Sequence, residues 1–162
     1  MAQPGPAIQV VDHPLAGSLL TTLRDRDTRP FQFRDLVRRL GAILAYEATR
    51  HLPTQATTVQ TPLEAAGGTR TGPVVIMPIL RAGLAMADGM LELIPDAQVG
   101  HLGMFRDEQQ LTPTTYYTKV PAGASEATIL LADPMLATGG SASEAVAILK
   151  RHRCRDIRFL CL

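Results

Sequence analysis

The chain has few cysteines, an almost neutral charge balance and no long apolar run, and each shortage excludes a class of protein. Its only cysteines are Cys154 and Cys161, and neither has a second cysteine or histidine at metal-binding spacing. A disulfide framework is therefore not expected, which fits a reducing compartment. Sixteen Lys and Arg against 15 Asp and Glu give a net charge of +1, so no bulk charge attracts nucleic acid or a membrane.

Two further absences concern targeting and nucleotide binding. No apolar run approaches the length of a membrane-spanning helix, and no basic-then-apolar signal pattern opens the chain. We therefore expect a cytoplasmic protein. The G-x-G-x-x-G motif of nucleotide-binding oxidoreductases is also missing, which disfavours that class of enzyme.

What remains is the composition of an ordinary globular domain. The 162 residues are 46% hydrophobic and 19% charged, values typical of a folded chain. A chain of this length buries roughly 70% of its unfolded surface, which is enough for a real core. We predict a single domain over residues 1–162, with a flexible segment at residues 1–12.

The predicted elements follow an order that is typical of an α/β domain. Apolar residues at helical spacing predict two N-terminal helices, whereas Leu52–Gly72 lacks a period and is predicted to be a loop with an edge strand at 57–59. Residues 99–106 and 116–120 are predicted to form a β-hairpin arm over the site. The fold class is therefore α/β, a mainly parallel sheet flanked by helices. The predicted helices cover residues 15–23, 33–44, 84–94 and 141–153, and the remaining strands cover 74–80, 128–132 and 157–162.

The chain is organised around the small-residue stretch Asp133–Ser141. An unalternated apolar strand precedes it, and Ser141 with Glu144 matches a capping box that predicts the start of a helix. Gly139 and Gly140 allow backbone amides to turn toward one point, and the helix behind them adds unpaired N–H groups. Such a turn suits a phosphate monoester.

Polar side chains accompany this turn. Thr138 and Ser141 add hydroxyl donors, and Asp133 would accept hydrogen bonds from sugar hydroxyls beside the phosphate. A tight turn with an N-cap and a solvated aspartate explains the same spacing, so the residues alone leave both interpretations open. The Walker phosphate loop is excluded, since no lysine follows the glycines.

Residues 133–141 resemble the ribose-phosphate loop of the type I phosphoribosyltransferases. In their exact sequence they resemble the loop of the uracil enzymes of that family. Many relatives carry two adjacent acids there, whereas this chain has Asp133 followed by Pro134, the uracil-enzyme variant. The likeness runs from about His13 to the last residue. It implies that 5-phosphoribosyl 1-diphosphate is bound by Arg81, Arg106, Asp133, Pro134, Met135, Leu136, Ala137, Thr138, Gly139, Gly140 and Ser141.

Two arginines complete the predicted site. Arg81 follows a buried strand and precedes a glycine, and its planar fork of donors matches a diphosphate. Without the family likeness, a solvated loop arginine would be an equal interpretation. Arg106 ends the next strand and resembles the second diphosphate-contacting arginine of the family. The resemblance implies that Asp133, Arg106 and Arg81 carry the reaction, and that the Leu80–Arg81 peptide bond is cis.

The implied reaction is that of a glycosyltransferase in pyrimidine salvage: uracil and 5-phosphoribosyl 1-diphosphate give UMP and diphosphate. Mg²⁺ is expected to bind mainly through the substrate's diphosphate and ribose, without metal ligands from protein side chains. The resemblance also implies allosteric GTP and a homodimer or higher homo-oligomer, built with the N-terminal arm and the 52–72 segment. No membrane or nucleic-acid partner is expected.

The base site is not expected within these residues. The chain ends at Leu162, in an apolar run, whereas the uracil enzymes of the family continue into a hood that contacts the base. We therefore expect a C-terminally truncated chain, with unknown uracil-binding residues and abolished or severely weakened turnover. Two alternatives stay open: a regulator with this fold that binds RNA and a nucleotide, and a non-catalytic nucleotide-binding remnant.

Overall fold

A computed structural model describes residues 8–106 and 113–162. The prediction of a flexible N-terminus falls partly outside these ranges, and residues 8–12 have no regular structure and are mostly exposed. The helices are α1 (Pro14–Arg24), α2 (Pro30–Ala48), α3 (Leu84–Leu93) and α4 (Gly140–Arg151). The strands are β1 (Thr54–Gln60), β2 (Ala65–Thr71), β3 (Val74–Leu80), β4 (Gln98–Val99), β5 (His101–Arg106), β6 (Pro113–Lys119), β7 (Thr128–Ala132) and β8 (Asp156–Leu160).

The main sheet has the strand order β6-β5-β3-β7-β8, and the short β4 also pairs with β3. All its pairings are parallel except that of β5 with β6. Every residue of β7 is buried, as is every residue of β3 up to Ile79. Such strands need no polar alternation because helices cover both faces of the sheet. The predicted α/β fold with a mainly parallel sheet is confirmed.

Two apolar clusters lie on opposite faces of this sheet. On one face, α4 packs through Ala145, Ile148 and Leu149 against Met77, Leu131 and their neighbours. On the other, α2 and α3 cover β3 and β7. Helices α2 and α3 approach so closely that a Cβ on Gly89 would stand 1.8 Å from the carbonyl oxygen of Arg38. These layers hold the carboxyl ends of β3, β5 and β7 along one edge.

The prediction of a loop at residues 52–72 is wrong except for its edge strand at 57–59, which lies within β1. Strands β1 and β2 form a regular antiparallel hairpin, in register from Thr54 opposite Thr71 to Gln60 opposite Ala65. Nearly all its residues are exposed on both faces. With neither face buried, the sequence carries no alternation of apolar and polar residues, so its periodicity could not reveal the strands.

The predicted capping box is also wrong. Helix α4 begins at Gly140 with Gly139 as its N-cap, and no side chain caps its amides. Ser141 is thus already the second helical residue. Glu144 instead pairs with Arg151, at 3.1 Å. The left-handed conformation of Gly139, with φ of 77°, starts the helix two residues earlier than a serine cap would.

The hairpin of β5 and β6 is confirmed as an antiparallel pair, but β6 begins at Pro113, three residues earlier than predicted. A proline is compatible with the first position of this strand, where no ladder N–H is required. The segment that joins the two strands, residues 107–112, lies outside the described residues.

Candidate active site

Two strand-to-helix turns meet at the carboxyl edge of the sheet. β3 and β7 are parallel neighbours, so the turns that follow them lie side by side. Their contact is close: a Cβ on Gly83, in the first turn, would stand 2.3 Å from the carbonyl oxygen of Ala132, just before the second. In open α/β sheets this edge is where ligands bind.

The second turn presents unpaired backbone amides. Gly139 has φ of 77°, and its carbonyl accepts the first hydrogen bond into α4, from the Ser143 N–H at 2.8 Å. The N–H groups of residues 137–141 donate no hydrogen bond to any part of the chain that the structure describes. Unpaired amides at the N-terminus of a 12-residue helix form a favourable site for an anion.

The same turn is open to solvent. Met135, Leu136, Ala137 and Thr138 are all exposed, Met135 to 76%. A Cβ on Gly139 would meet nothing nearer than Leu136 Cδ1, at 3.8 Å. The predicted phosphate loop is therefore accessible to a ligand and not filled by side chains.

Asp133 sits at the base of this loop. Its N–H donates to the Leu160 carbonyl at 3.1 Å, which extends the pairing of β7 with β8 by one residue. Its Oδ1 accepts a hydrogen bond from the Met135 N–H at 3.3 Å. Burial raises the pKa of this carboxyl above its usual range, although the Met135 hydrogen bond opposes the shift. Among the side chains that the structure describes, which do not include that of Arg106, no cation pairs with it.

The thiol of Cys161 lies beside Asp133, a proximity that sequence reasoning missed. Burial raises the pKa of the Cys161 thiol, and the negative charge of Asp133 raises it further. Because Ala132 and Leu160 are partners in parallel strands, the next residues of the two strands also lie side by side. The pairing of the strands was the missing signal, since the sequence alone does not give their register.

The first turn places Arg81 at the same edge. The Leu80–Arg81 peptide bond is cis, as the resemblance implied. Arg81 is exposed, and within the described ranges its side chain forms no ion pair. Its backbone carbonyl accepts a hydrogen bond from the Leu84 N–H at 3.2 Å, at the start of α3. The guanidinium is thus available to an anion.

Arg106 ends β5, the strand on the far side of β3 from β7. Its backbone therefore reaches the same edge as Arg81 and Asp133. The position of its side chain lies outside the described part of the chain, as do the neighbouring Asp107 and Glu108. The structure brings together the backbones of all the predicted site residues, and the side chains of all but Arg106 are described.

No cluster of three or more histidine, cysteine, aspartate or glutamate residues that could hold a metal ion occurs in the described ranges. Within the same ranges, no helix combines the length and apolar character needed to cross a membrane.

Comparison with known proteins identifies the family. The sequence model of the family "Uracil phosphoribosyltransferase" matches residues 10–162. The chain belongs to the uracil phosphoribosyltransferase family. It is 48% identical to the uracil phosphoribosyltransferase of Dictyoglomus thermophilum over 155 residues, which are 94% of this chain and 75% of that one. It is also 48% identical to that of Bacillus velezensis over 160 residues, with 96% and 75% covered.

Two solved structures share this fold. The AQ2163 protein from Aquifex aeolicus superposes with a TM-score of 0.86 at 32% identity, over 93% of this chain and 73% of that one. A hypoxanthine-guanine phosphoribosyltransferase from Bacillus anthracis superposes with a TM-score of 0.58 at 10% identity, over 80% and 66%. The second likeness concerns the fold alone.

Proposed function

We propose that the protein transfers a phosphoribosyl group from 5-phosphoribosyl 1-diphosphate to uracil, which gives UMP and diphosphate. The observation that carries the proposal is the open turn of unpaired amides at residues 137–141, a few residues after the half-buried carboxylate of Asp133. Membership of the uracil phosphoribosyltransferase family supports both the reaction and its place in pyrimidine salvage.

The 5-phosphate would bind at the N-terminus of α4. Its oxygens accept hydrogen bonds from the amides of residues 137–141 and from the hydroxyls of Thr138 and Ser141. Asp133, at the base of the loop, would then accept hydrogen bonds from the ribose hydroxyls. Burial raises the pKa of this carboxyl, and hydrogen bonds from ligand hydroxyls would favour its ionised form.

The diphosphate would lie at the adjacent turn, against Arg81 and Arg106. The bond from the anomeric carbon to the diphosphate oxygen breaks before the bond to a uracil nitrogen is complete, so the ring carries positive charge in the interval. The proton of that nitrogen leaves to solvent or to the released diphosphate. The leaving group is already anionic, so the protein mainly positions it and stabilises charge. Arginine suits this task because its guanidinium donates two parallel hydrogen bonds.

Mg²⁺ fits this arrangement as an ion brought by the substrate. Its ligands in proteins are oxygens, and it commonly retains waters and substrate phosphates rather than a dedicated cage. The described residues offer no such cage, and Asp133 is the carboxylate that would face it. When bound, the ion would neutralise charge on the diphosphate.

Further attributes are proposed on the same basis. The two-stranded hairpin of β1 and β2 is exposed on both faces, and such a hairpin is marginally stable alone, which supports its use in a homodimer or larger assembly. The free thiols of Cys154 and Cys161 support a cytoplasmic location. Allosteric control by GTP is proposed from the family resemblance only.

Titration calorimetry tests the proposal. We expect the protein to bind 5-phosphoribosyl 1-diphosphate with Mg²⁺, and to bind ribose 5-phosphate more weakly. Arg81→Ala should raise the Kd of the diphosphate ligand at least tenfold and leave the Kd of ribose 5-phosphate within twofold. The control is Arg34→Ala, which removes a cation from the N-terminal half of α2. A protein that binds neither ligand would contradict the proposal.

A second assay addresses the base and the alternative RNA-binding role. Labelled uracil, hypoxanthine and guanine are each incubated with the protein, the diphosphate ligand and Mg²⁺. A purine nucleotide as the product would contradict uracil specificity. Salt-dependent binding of RNA, without affinity for the diphosphate ligand, would favour the regulator instead.

A further inference from the structure

The hairpin of β5 and β6 contains a bulge beside the active site. Gly103 is paired with Tyr117 and Met104 with Thr115, so Tyr116 is an extra residue without a Cα partner in β5. Bulges of this kind re-aim a side chain and are frequent next to active sites. Here the re-aimed side chain is the ring of Tyr116.

The ring of Tyr116 lies directly over Gly103. A Cβ on this glycine would stand 2.6 Å from Tyr116 Cε2 and 2.7 Å from Cζ, closer than real Cβ contacts. The same ring lies 6.2 Å, between centroids, from the ring of Phe105 at an angle of 33°. Gly103 and Phe105 are two residues apart and share a face of β5, so Tyr116 covers that face up to the residue before Arg106.

The covered strand also supports Arg81. In the parallel pairing of β3 with β5, Gly103 is the partner of Leu80, the residue directly before Arg81. A short path of contacts therefore runs from the Tyr116 ring through Gly103 to Leu80. Arg81 directly follows Leu80, and Arg106 lies three residues beyond Gly103 at the end of the same strand.

These aromatic rings are not core residues. Tyr116 is 57% exposed and Phe105 is 52% exposed, and neither belongs to the two buried clusters. Two rings that are more than half exposed, only one of which packs on Gly103, contribute little buried apolar area. Their location favours a role in fixing the end of the hairpin.

We propose that Tyr116 is a positioning residue for diphosphate binding: its ring, packed on Gly103 and Phe105, fixes the ends of β5 and β3 from which Arg106 and Arg81 extend. The inference rests on the proposed function. It concerns the diphosphate half of the site and not the 5-phosphate loop, which follows β7 and has no contact with the bulge among those described.

Two ligands separate positioning from general stability. In the proposed site, ribose 5-phosphate engages only the loop at 137–141 and Asp133, whereas 5-phosphoribosyl 1-diphosphate with Mg²⁺ also engages the arginines. We expect Tyr116→Ala to raise the Kd of the diphosphate ligand about tenfold, which corresponds to about 1.4 kcal/mol, and to leave that of ribose 5-phosphate within twofold. Tyr116→Phe should behave as the wild type because it retains the ring.

Matched variants keep the test decisive. Tyr46→Ala removes a ring of similar exposure, 61%, from α2 and should change neither Kd. In Gly103→Ala, the added methyl group on β5 would displace the Tyr116 ring. This variant should reproduce the effect of Tyr116→Ala. Should Tyr116→Ala unfold, Tyr116→Leu carries the same comparison, because it keeps apolar volume without a planar ring.

The outcomes are distinguishable. An unchanged Kd of the diphosphate ligand in Tyr116→Ala overturns the inference and leaves the proposed function intact. Parallel weakening of both ligands, with a fall in Tm, also overturns it, since that is the result of a purely structural role. A wild-type protein that binds neither ligand overturns the proposed function, and the inference with it.

Discussion

The two turns at the carboxyl edge of the sheet use glycine for opposite reasons. Gly83, after β3, has ordinary right-handed backbone angles, but a Cβ there would meet backbone atoms of Ala132 and Ile79 within 3 Å. Gly139, after β7, has left-handed backbone and open space around it. One glycine permits close packing, whereas the other permits a conformation that leaves amides unpaired. The first turn is thus closed by backbone packing at Gly83, although its Arg81 side chain stays exposed, and the second turn is open for a ligand at Gly139.

The largest effect is expected from Gly83→Ala. The added methyl group would stand 2.3 Å from the Ala132 carbonyl oxygen, a backbone atom that cannot move without displacing β7. Overpacking of this kind costs about 3 kcal/mol, which lowers the Tm of a chain of this size by roughly 6–12 °C. Thermal and urea unfolding measure it.

Gly17→Ala is the matched control. Gly17 lies within α1, and a Cβ there meets nothing within 4 Å. Since alanine is the better helix former, this variant should gain up to about 1 kcal/mol in the free energy of unfolding. A loss of less than about 1 kcal/mol in Gly83→Ala would show that the closed turn adapts, and would remove the contrast between the two turns.

Asp133→Asn tests the base of the open turn. Loss of a charged acceptor for the ribose hydroxyls should cost about 2 kcal/mol of binding, a roughly 30-fold higher Kd for ribose 5-phosphate. Titration calorimetry at neutral pH measures this loss. Asp156→Asn, on the opposite end of β8, should leave this Kd within twofold. An unchanged affinity in Asp133→Asn would place the ribose elsewhere.

The same variant has a predictable dependence on pH. Burial raises the pKa of Asp133 in the folded state, so the folded protein holds this proton more tightly than the unfolded chain. The carboxyl therefore contributes stability at low pH, which is lost as the pH rises through its folded pKa. Asp133→Asn should be more stable than the wild type at neutral pH, and this advantage should shrink as the pH falls toward 4.

The open turn after β7 and the strand before it were largely predictable from the sequence. The hairpin of β1 and β2 and the bulge at Tyr116 were not. Residues 128–132 have a continuous apolar pattern that identifies a buried strand, and Gly139 with Gly140 identifies the turn after it. The hairpin of β1 and β2 left no such signal, because exposed strands need no alternation. The bulge at Tyr116 depends on the register of two strands, which a single sequence does not specify.

The start of α4 also could not be predicted from local sequence pattern alone. Ser141 and Glu144 have the spacing of a capping box, and local pattern alone favoured that interpretation. The structure starts α4 at Gly140, because the left-handed Gly139 already turns the chain into the helix. A glycine in an unusual conformation thus replaced the side-chain cap, and it left the amides unpaired for a ligand.

Gly139→Ala should have a smaller effect on stability than Gly83→Ala. An alanine in left-handed backbone costs about 1 kcal/mol, but the open space around the residue adds no clash. We expect the Tm to fall by roughly 2–4 °C. The Kd of ribose 5-phosphate should rise as well, because the amides that bind the phosphate shift with the turn. A stability loss equal to that of Gly83→Ala would show that the second turn is closed as well.

Thr138→Val should give the smallest effect, confined to the ligand. Thr138 is exposed, so replacement of its hydroxyl with a methyl group should leave the Tm unchanged within about 1 °C. One lost hydrogen bond to the 5-phosphate corresponds to about 1 kcal/mol, which raises the Kd of ribose 5-phosphate roughly fivefold. Thr118→Val, an exposed threonine on β6, is the control and should change neither quantity. A fall in Tm without a change in Kd would mean that the hydroxyl supports the turn itself, and the contrast between a closed and an open turn would then no longer hold at this residue.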